Sequence, residues 1–228
     1  GYTSVQAMAA LEEVAAEVLP ATMSYSWNAM SYQEKKASGS LGIILTFSLL
    51  FVFLILAAQY ESWSLPLSIL LGTPFAIFGA LLFLWVARMI SPTYENNIFA
   101  QVSFVMLIGM AAKNAILIIE YANDEFKNGH SLFDAAILAA KERFRAILMT
   151  AFSFILGVLP LVLATGTGSE ARNVMGVALL GGMVIATFLG VFFYPMLYVL
   201  IGKIGGYEKS REKQLALEGE NTQANEKE

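Results

Sequence analysis

Residues 98–122 read IFAQVSFVMLIGMAAKNAILIIEYA, a mostly apolar stretch with Lys113 and Asn114 near its middle. A helix that crosses a bilayer needs about 20 consecutive, predominantly apolar residues, and this stretch is long enough. A helix on the surface of a soluble protein would instead carry a continuous polar face. The stretch therefore predicts a transmembrane helix that holds a lysine inside the membrane.

Four further stretches of the same kind surround this one. The composition agrees, because 57% of the 228 residues are hydrophobic and 14% are charged, against about 45–50% and about 25% in soluble domains. It excludes a soluble or disordered chain, and the net charge of −4 argues against binding to nucleic acid. The predicted fold class is mainly α, a polytopic membrane helix bundle with five transmembrane helices over residues 41–59, 65–87, 98–121, 144–164 and 174–201.

The distribution of lysine and arginine predicts the orientation of the chain. With five spans, nine of the 14 basic residues fall on the side of the carboxyl-terminal tail, four fall on the other side, and Lys113 lies within a span. Cytoplasmic loops carry the excess of positive charge. We therefore expect the tail in the cytoplasm and the amino-terminal segment outside it.

Three segments lie outside the spans. Residues 1–38 contain a helical pattern that ends before Pro20, and then MSYSWNAM (23–30), which predicts a strand or an extended segment. Residues 131–142 form an apolar stripe behind a capping box of Ser131 and Asp134, which favours a cytoplasmic interfacial helix. Residues 205–228 predict a disordered tail. Because the chain opens without an initiator methionine, we expect it to be the C-terminal piece of a longer protein.

Lys113 is the residue most indicative of function. A lysine at the centre of a transmembrane helix costs about 2.5–3.5 kcal/mol on insertion scales, so it should face protein or water and find a partner. It lies eight residues before Tyr121, roughly 12 Å along a helix, which is too far for simple snorkelling. Glu120 is two turns away, and no other carboxylate lies inside a span. We expect the partner acid to lie outside this chain.

The fourth span adds further polar side chains. Arg143 and Thr150 lie seven residues apart on one helical face, and Ser153 follows three residues later. They form a stripe suited to a water or proton route. Alternatively, Arg143 is a positive-inside anchor and the hydroxyls bond back to their own helix. Asn114 and Ser153 are possible accessory polar residues.

Small residues recur every four positions in two spans, a pattern that favours close helix packing. The predicted packing residues are Gly72, Ala76 and Ala80 in the second span and Ala178, Gly182, Ala186 and Gly190 in the fifth.

The sequence contains no motif for a metal or a cofactor. It has no cysteine and no cluster of metal ligands. GTGSEA (166–171) lacks the βαβ context of a nucleotide site, and His130 lies in a polar turn. We therefore expect no metal site and no cofactor.

Six motifs follow one another along the chain, namely MSYQEK, LAAQYESWSLP, IGMAAKNAILIIEYA, RFRAILMT, ILGVLPLVLATGTGSEARN and GVALLGGMV. Their order resembles the carboxyl end of RND efflux transporters, with the hydrophobe/amphiphile multidrug pumps of Gram-negative bacteria as the nearest group. The resemblance covers about residues 1–204 and excludes the polar tail.

This resemblance implies that the five spans are the last five of twelve, and that residues 1–38 end an α/β periplasmic porter subdomain. It implies that Lys113 pairs with two aspartates of the N-terminal half, and that Arg143 and Thr150 contribute to a proton relay. Many relatives have a proline where this chain has Ala146. The implied activity is drug/proton antiport by a homotrimer in the inner membrane, working with a periplasmic adaptor and an outer-membrane channel.

Two alternatives remain open from the sequence. A non-transporting membrane scaffold or assembly subunit would use Lys113 only to hold helices together. An RND exporter of metals, lipids or a biosynthetic product would differ in periplasmic regions that this sequence does not include. The coding sequence before Gly1 discriminates, because paired intramembrane aspartates there would favour the pump.

Overall fold

The computed structural model describes residues 4–20, 22–37 and 41–206, and every regular element in these ranges is an α-helix. The prediction for the tail after residue 206 lies outside the described residues. The helices are α1 (Ser4–Val18), α2 (Ala29–Ala37), α3 (Leu41–Tyr60), α4 (Ser64–Leu70), α5 (Thr73–Arg88), α6 (Ile98–Lys127), α7 (Leu132–Val162) and α8 (Ser169–Ile204).

The predicted helical membrane bundle is confirmed. Five segments of the described chain are long and apolar enough to cross a membrane, and α4 and α5 together make one of them. Their bounds are Gly42–Tyr60, Ser64–Arg88, Ile98–Lys127, Leu132–Val162 and Ser169–Ile204.

The second span contains a break that the apolar pattern did not predict. Helix α4 ends at Leu70 and α5 begins at Thr73. Pro74 has no backbone N–H and its ring clashes with the carbonyl four residues earlier, which is that of Leu70. The Thr73 hydroxyl donates a hydrogen bond to this same carbonyl oxygen at 2.8 Å. The Leu70 carbonyl oxygen therefore has a hydrogen-bond donor in spite of the break.

Helix α7 joins two elements that the sequence analysis separated. The predicted interfacial helix at 131–142 and the span at 144–164 form one unbroken helix, Leu132–Val162. The residues between them, KERFRA (141–146), are charged but contain no helix breaker, and Lys, Glu, Arg and Ala have high helix propensity. At its start, the Ser131 hydroxyl oxygen accepts from the Asp134 backbone N–H at 3.1 Å, as the predicted cap requires.

The described part of residues 1–38 contains two helices and no strand. Residues 23–28 have no regular secondary structure, and α2 begins at Ala29. No strand forms here, and the predicted strand or extended segment is wrong for residues 29–30, which are helical. The Glu12 carboxylate of α1 accepts from the Trp27 indole at 2.7 Å and also binds the Lys35 ammonium of α2. These two donors, Lys35 foremost, hold the pKa of Glu12 below its ordinary value.

Helix α8 is the centre of the bundle, because α5, α6 and α7 all pack against it. It is also the most deeply covered span, because 61% of its most apolar 18-residue stretch is buried, against 6% for α3. Two apolar clusters fill the interior, one around Tyr194 and Tyr198 and one around Leu107 and Met183. The exposed faces of α3 and α7 are left to lipid or to further protein.

The start of α6 depends on one side chain. The Asn97 side-chain oxygen accepts from the backbone N–H groups of Phe99 and Ala100, both at 3.1 Å. We expect Asn97→Ala to lower the free energy of unfolding by about 1 kcal/mol, the usual loss for such a cap. Thermal unfolding of the purified protein measures this, and Asn97→Asp should stay near the parent. An unchanged midpoint for Asn97→Ala would contradict the assignment.

Candidate functional site

Lys113 lies at the middle of α6 and follows a run of helix residues that carries no charge. Fifteen residues of the helix precede it and fourteen follow, so each helix end is roughly 21–22 Å away. Its side chain is exposed, whereas Ala111, Ala112 and Asn114 beside it are buried. The ammonium therefore points away from α5, α7 and α8, and out of the packed side of the bundle.

Within the described ranges, Lys113 forms no ion pair or hydrogen bond. Glu120, the nearest acid on the same helix, is seven residues on, about 10 Å along the axis. A charged side chain at this depth requires a counter-charge or water. The described residues supply no counter-charge and leave the ammonium on an open face of α6.

Asn114 points the opposite way. It is 3% exposed, and its side-chain nitrogen has no hydrogen-bond acceptor among the described residues. Neighbouring residues on a helix diverge by about 100°, which places these two side chains on different faces. The structure therefore does not bring Asn114 and Lys113 into one polar cluster.

Arg143 is held by an aromatic ring. Its guanidinium carbon lies 4.8 Å from the centroid of the Tyr121 ring, which α6 contributes. The Arg143 Nε is buried and has no acceptor among the described residues, so the ring face is its observed partner. Such cation–π contacts occur within about 6 Å. The sequence analysis did not single out Tyr121, because the contact depends on how α6 and α7 are rotated.

The two hydroxyls of α7 bond to their own helix. Thr150 donates to the Ile147 carbonyl at 3.0 Å, and Ser153 donates to the Met149 carbonyl at 2.9 Å. Across the part of the chain with described coordinates, no hydrogen bond or ion pair joins Lys113, Arg143 and Thr150 to one another. The same part holds no cluster of three or more side chains suited to a metal ion.

Tyr194 is a buried residue near this site that the sequence analysis missed. It is 1% exposed, and its hydroxyl donates to the Ala111 carbonyl at 3.3 Å, two residues before Lys113. Its ring fills the space left by two glycines, since a Cβ on Gly72 would lie 2.7 Å from its Cζ and one on Gly190 2.6 Å from its Cε2. These two glycines, which were predicted as packing residues, were the sequence signal that a large side chain lies against them.

Glycines also allow α5 and α8 to approach each other closely. A Cβ on Gly182 would lie 2.9 Å from the Ala76 carbonyl oxygen. Gly79 and Gly181 approach still more closely, because a Cβ on Gly79 would lie 2.6 Å from the Gly181 carbonyl oxygen and one on Gly181 2.8 Å from that of Gly79. The stripe predicted from the sequence did not include these two. The other predicted packing residues are buried, namely Ala76, Ala80, Ala178 and Ala186.

The sequence is similar to that of known proteins. Residues 1–202 match the AcrB/AcrD/AcrF family. The chain is 41% identical over 218 residues to the toluene efflux pump membrane transporter TtgB of Pseudomonas putida, covering 96% of this chain and 20% of that protein. It is 44% identical to the multidrug export protein AcrF and 43% to the multidrug resistance protein MdtF, both of Escherichia coli, over 88% of this chain and 19% of each. The chain therefore spans about a fifth of these relatives.

Proposed function

Because the chain belongs to the AcrB/AcrD/AcrF family, we propose that it forms the C-terminal transmembrane part of a proton-driven pump that exports hydrophobic or amphiphilic compounds. Family membership confirms the resemblance to RND efflux transporters. The names of the relatives support the substrate class, since they describe efflux of toluene and export of multiple drugs. The position of Lys113 in the structure supports the proposed proton coupling.

The observation that carries the proposal is the open position of Lys113. An exposed ammonium at mid-helix with no partner among the described residues suits a helix whose polar partner belongs to another segment. We assign that partner to two aspartates on the N-terminal half of the same transporter. This half would pack on the exposed face of α6, where their carboxylates would meet the ammonium.

Protonation of the aspartates then changes what Lys113 is attracted to. An ionised aspartate holds the ammonium by opposite charge, whereas a protonated one releases much of that attraction. Each arrangement favours a different packing of the helices, so proton binding shifts the population between them. One elementary charge that moves across 100 mV supplies about 2.3 kcal/mol, enough to bias such an equilibrium. No cofactor is needed in this scheme.

Arg143 and Thr150 extend the proposed relay towards the cytoplasm. Arg143 supplies a fixed positive charge on α7, held by Tyr121, and a fixed charge favours the ionised form of nearby acids. The Thr150 hydroxyl, now bonded to the Ile147 carbonyl, keeps acceptor capacity for a water molecule. Asn114 and Ser153 remain proposed accessory polar residues.

We place the pump in the bacterial inner membrane, with the amino-terminal segment periplasmic and the tail cytoplasmic, as the excess of basic residues on the tail side supports. We further propose that it works as a homotrimer with a periplasmic adaptor and an outer-membrane channel. These assignments concern the natural-length protein, because the chain covers about a fifth of its relatives.

Dye export tests the function directly. The natural-length protein that carries this sequence is expressed in a bacterium deleted for its own efflux pumps, and accumulation of a hydrophobic fluorescent dye is followed. We expect low accumulation that rises to the level of the empty vector when an uncoupler collapses the proton gradient. Export that survives the uncoupler, or no export of any amphiphilic dye, would contradict the proposal.

The Tyr121 ring offers a sharper test of the Arg143 assignment. We expect Tyr121→Leu to slow export about two- to fivefold, because it removes a cation–π contact of the partly exposed kind. Tyr121→Phe should retain most of the rate, since the phenyl ring keeps its face towards Arg143. Initial rates of dye efflux at matched protein levels measure both. Equal loss in the two variants would show that the hydroxyl, rather than the ring face, matters.

A further inference from the structure

An apolar crevice lies between the start of α7 and the end of α8. Its volume is about 340 Å³, and its walls come from the first two turns of α7 and from the residues of α8 that follow Pro195. Specific small-molecule sites begin at about 300 Å³. The crevice is thus large enough to hold part of one ligand molecule.

Most of the apolar side chains in its walls are exposed. Phe133 is 62% exposed, Met196 61%, Leu200 47% and Ile137 39%. Because both helices are of membrane-spanning length and composition, these side chains face either lipid or another part of the protein. Exposed apolar side chains are ordinary on such helices, and what distinguishes this group is that it forms a concave surface.

The charge of the crevice is confined to one end. Of the described side chains that line it, Lys203 alone is charged, and it lies in the last turn of α8. Pro195 lines the other end, eight residues and therefore about 12 Å deeper along the helix. The layout is an apolar trough that opens towards a single cation at the membrane surface.

From this layout we infer that the crevice binds an anionic phospholipid, with one acyl chain in the trough and the phosphate on Lys203. An anionic phospholipid has the matching arrangement, with apolar acyl chains deep in the membrane and a negative headgroup at its surface. Basic residues beside apolar pockets between transmembrane helices are a known arrangement for such headgroups. The inference concerns a ligand, and it holds whether or not the protein exports drugs.

A further transmembrane helix of the natural-length protein is a competing occupant, because helices pack by placing ridges of side chains in such grooves. An apolar helix face would offer Lys203 no counter-charge, whereas a lipid phosphate supplies one. The polar tail that follows residue 206 is the other candidate occupant. Its sequence, EKSREKQLALEGENTQANEKE (208–228), contains few apolar residues, so it offers little to fill an apolar trough.

Photolabelling tests the inference in the natural-length protein. The protein is reconstituted in vesicles of phosphatidylethanolamine and phosphatidylglycerol at 3:1, with a trace of phosphatidylglycerol that carries a photoreactive group in its acyl chain. We expect labelled peptides from the beginning of α7 and the end of α8. A phosphatidylcholine probe with the same acyl chain should label these peptides markedly less.

Variants separate the headgroup from the trough. Lys203→Gln should lower the label about fivefold, the loss expected for one basic residue near the surface, whereas Lys127→Gln, a lysine at the end of α6, should leave it unchanged. Leu200→Trp fills the trough and should remove the label while the protein purifies normally. Label elsewhere, equal label from phosphatidylcholine, no effect of Lys203→Gln, or cross-links from this surface to the tail or another protein segment would each overturn the inference.

Discussion

Lys113→Met abolishes export in the natural-length protein, and this is the largest functional effect that we expect from one substitution. Methionine has nearly the length of lysine but carries no charge, so packing is preserved while the proposed interaction with the aspartates is lost. In the dye-accumulation assay, cells that express the variant should accumulate dye as fast as cells with the empty vector.

The variant should still insert and assemble. A lysine at the centre of a span costs about 2.5–3.5 kcal/mol on insertion scales, and methionine removes that cost. Lys113 is exposed on α6 and forms no hydrogen bond or ion pair with the described residues, so we expect its replacement to leave α5, α7 and α8 packed as before. Membrane content and size-exclusion profiles should therefore match those of the parent.

A second lysine on the same helix provides the matched control. Lys127 lies in the last turn of α6 and is exposed, near the membrane surface by its position in the chain. We expect Lys127→Met to export at the parental rate, because a solvated charge contributes little. Parental export by Lys113→Met would sink the proposed role of the lysine, and loss of assembled protein would reassign it to structure.

The sequence predicted the membrane bundle because the signal is cumulative. Each span is a run of about 20 apolar residues, and no neighbouring contact is needed to recognise it. The depth of Lys113 follows from the same count, and its exposure in the structure agrees with a partner elsewhere. The break at Pro74 was missed because the apolar run continues through it, although proline was a visible signal.

The hydrophobic pattern of the sequence does not predict which side chains meet between helices. Whether Arg143 meets Tyr121 depends on the rotation of two helices about their axes, and one residue turns a helix by about 100°. The charged residues between 141 and 146 indicated a boundary that the structure does not have, because helix propensity there is high. Likewise, a four-residue repeat identifies small residues but not which of them lie at the crossing point.

Gly79 and Gly181 lie at such a crossing, which makes Gly181→Ala the substitution with the largest expected effect on stability. An added Cβ would sit 2.8 Å from the Gly79 carbonyl oxygen. Real Cβ atoms do not approach backbone this closely, and backbone cannot rotate away as a side chain can. Helices α5 and α8 must therefore separate, which costs about 1–3 kcal/mol as overpacking.

Gly157→Ala is the matched control. Gly157 lies inside α7, and a Cβ there meets nothing within 4 Å. Alanine in a helix interior is favoured over glycine by about 0.5–1 kcal/mol, so this variant should be neutral or slightly stabilised. Thermal unfolding in one detergent, followed by the fluorescence of the three tryptophans, measures both substitutions on the same scale.

The double variant decides whether the two glycines share one contact. Gly79→Ala alone should destabilise the protein as Gly181→Ala does, because its Cβ would lie 2.6 Å from the Gly181 carbonyl oxygen. Once either alanine has forced α5 and α8 apart, the second meets less obstruction. The combined loss should therefore be smaller than the sum of the single losses, as expected for residues in direct contact. Simple additivity would mean that the helices do not cross at these glycines.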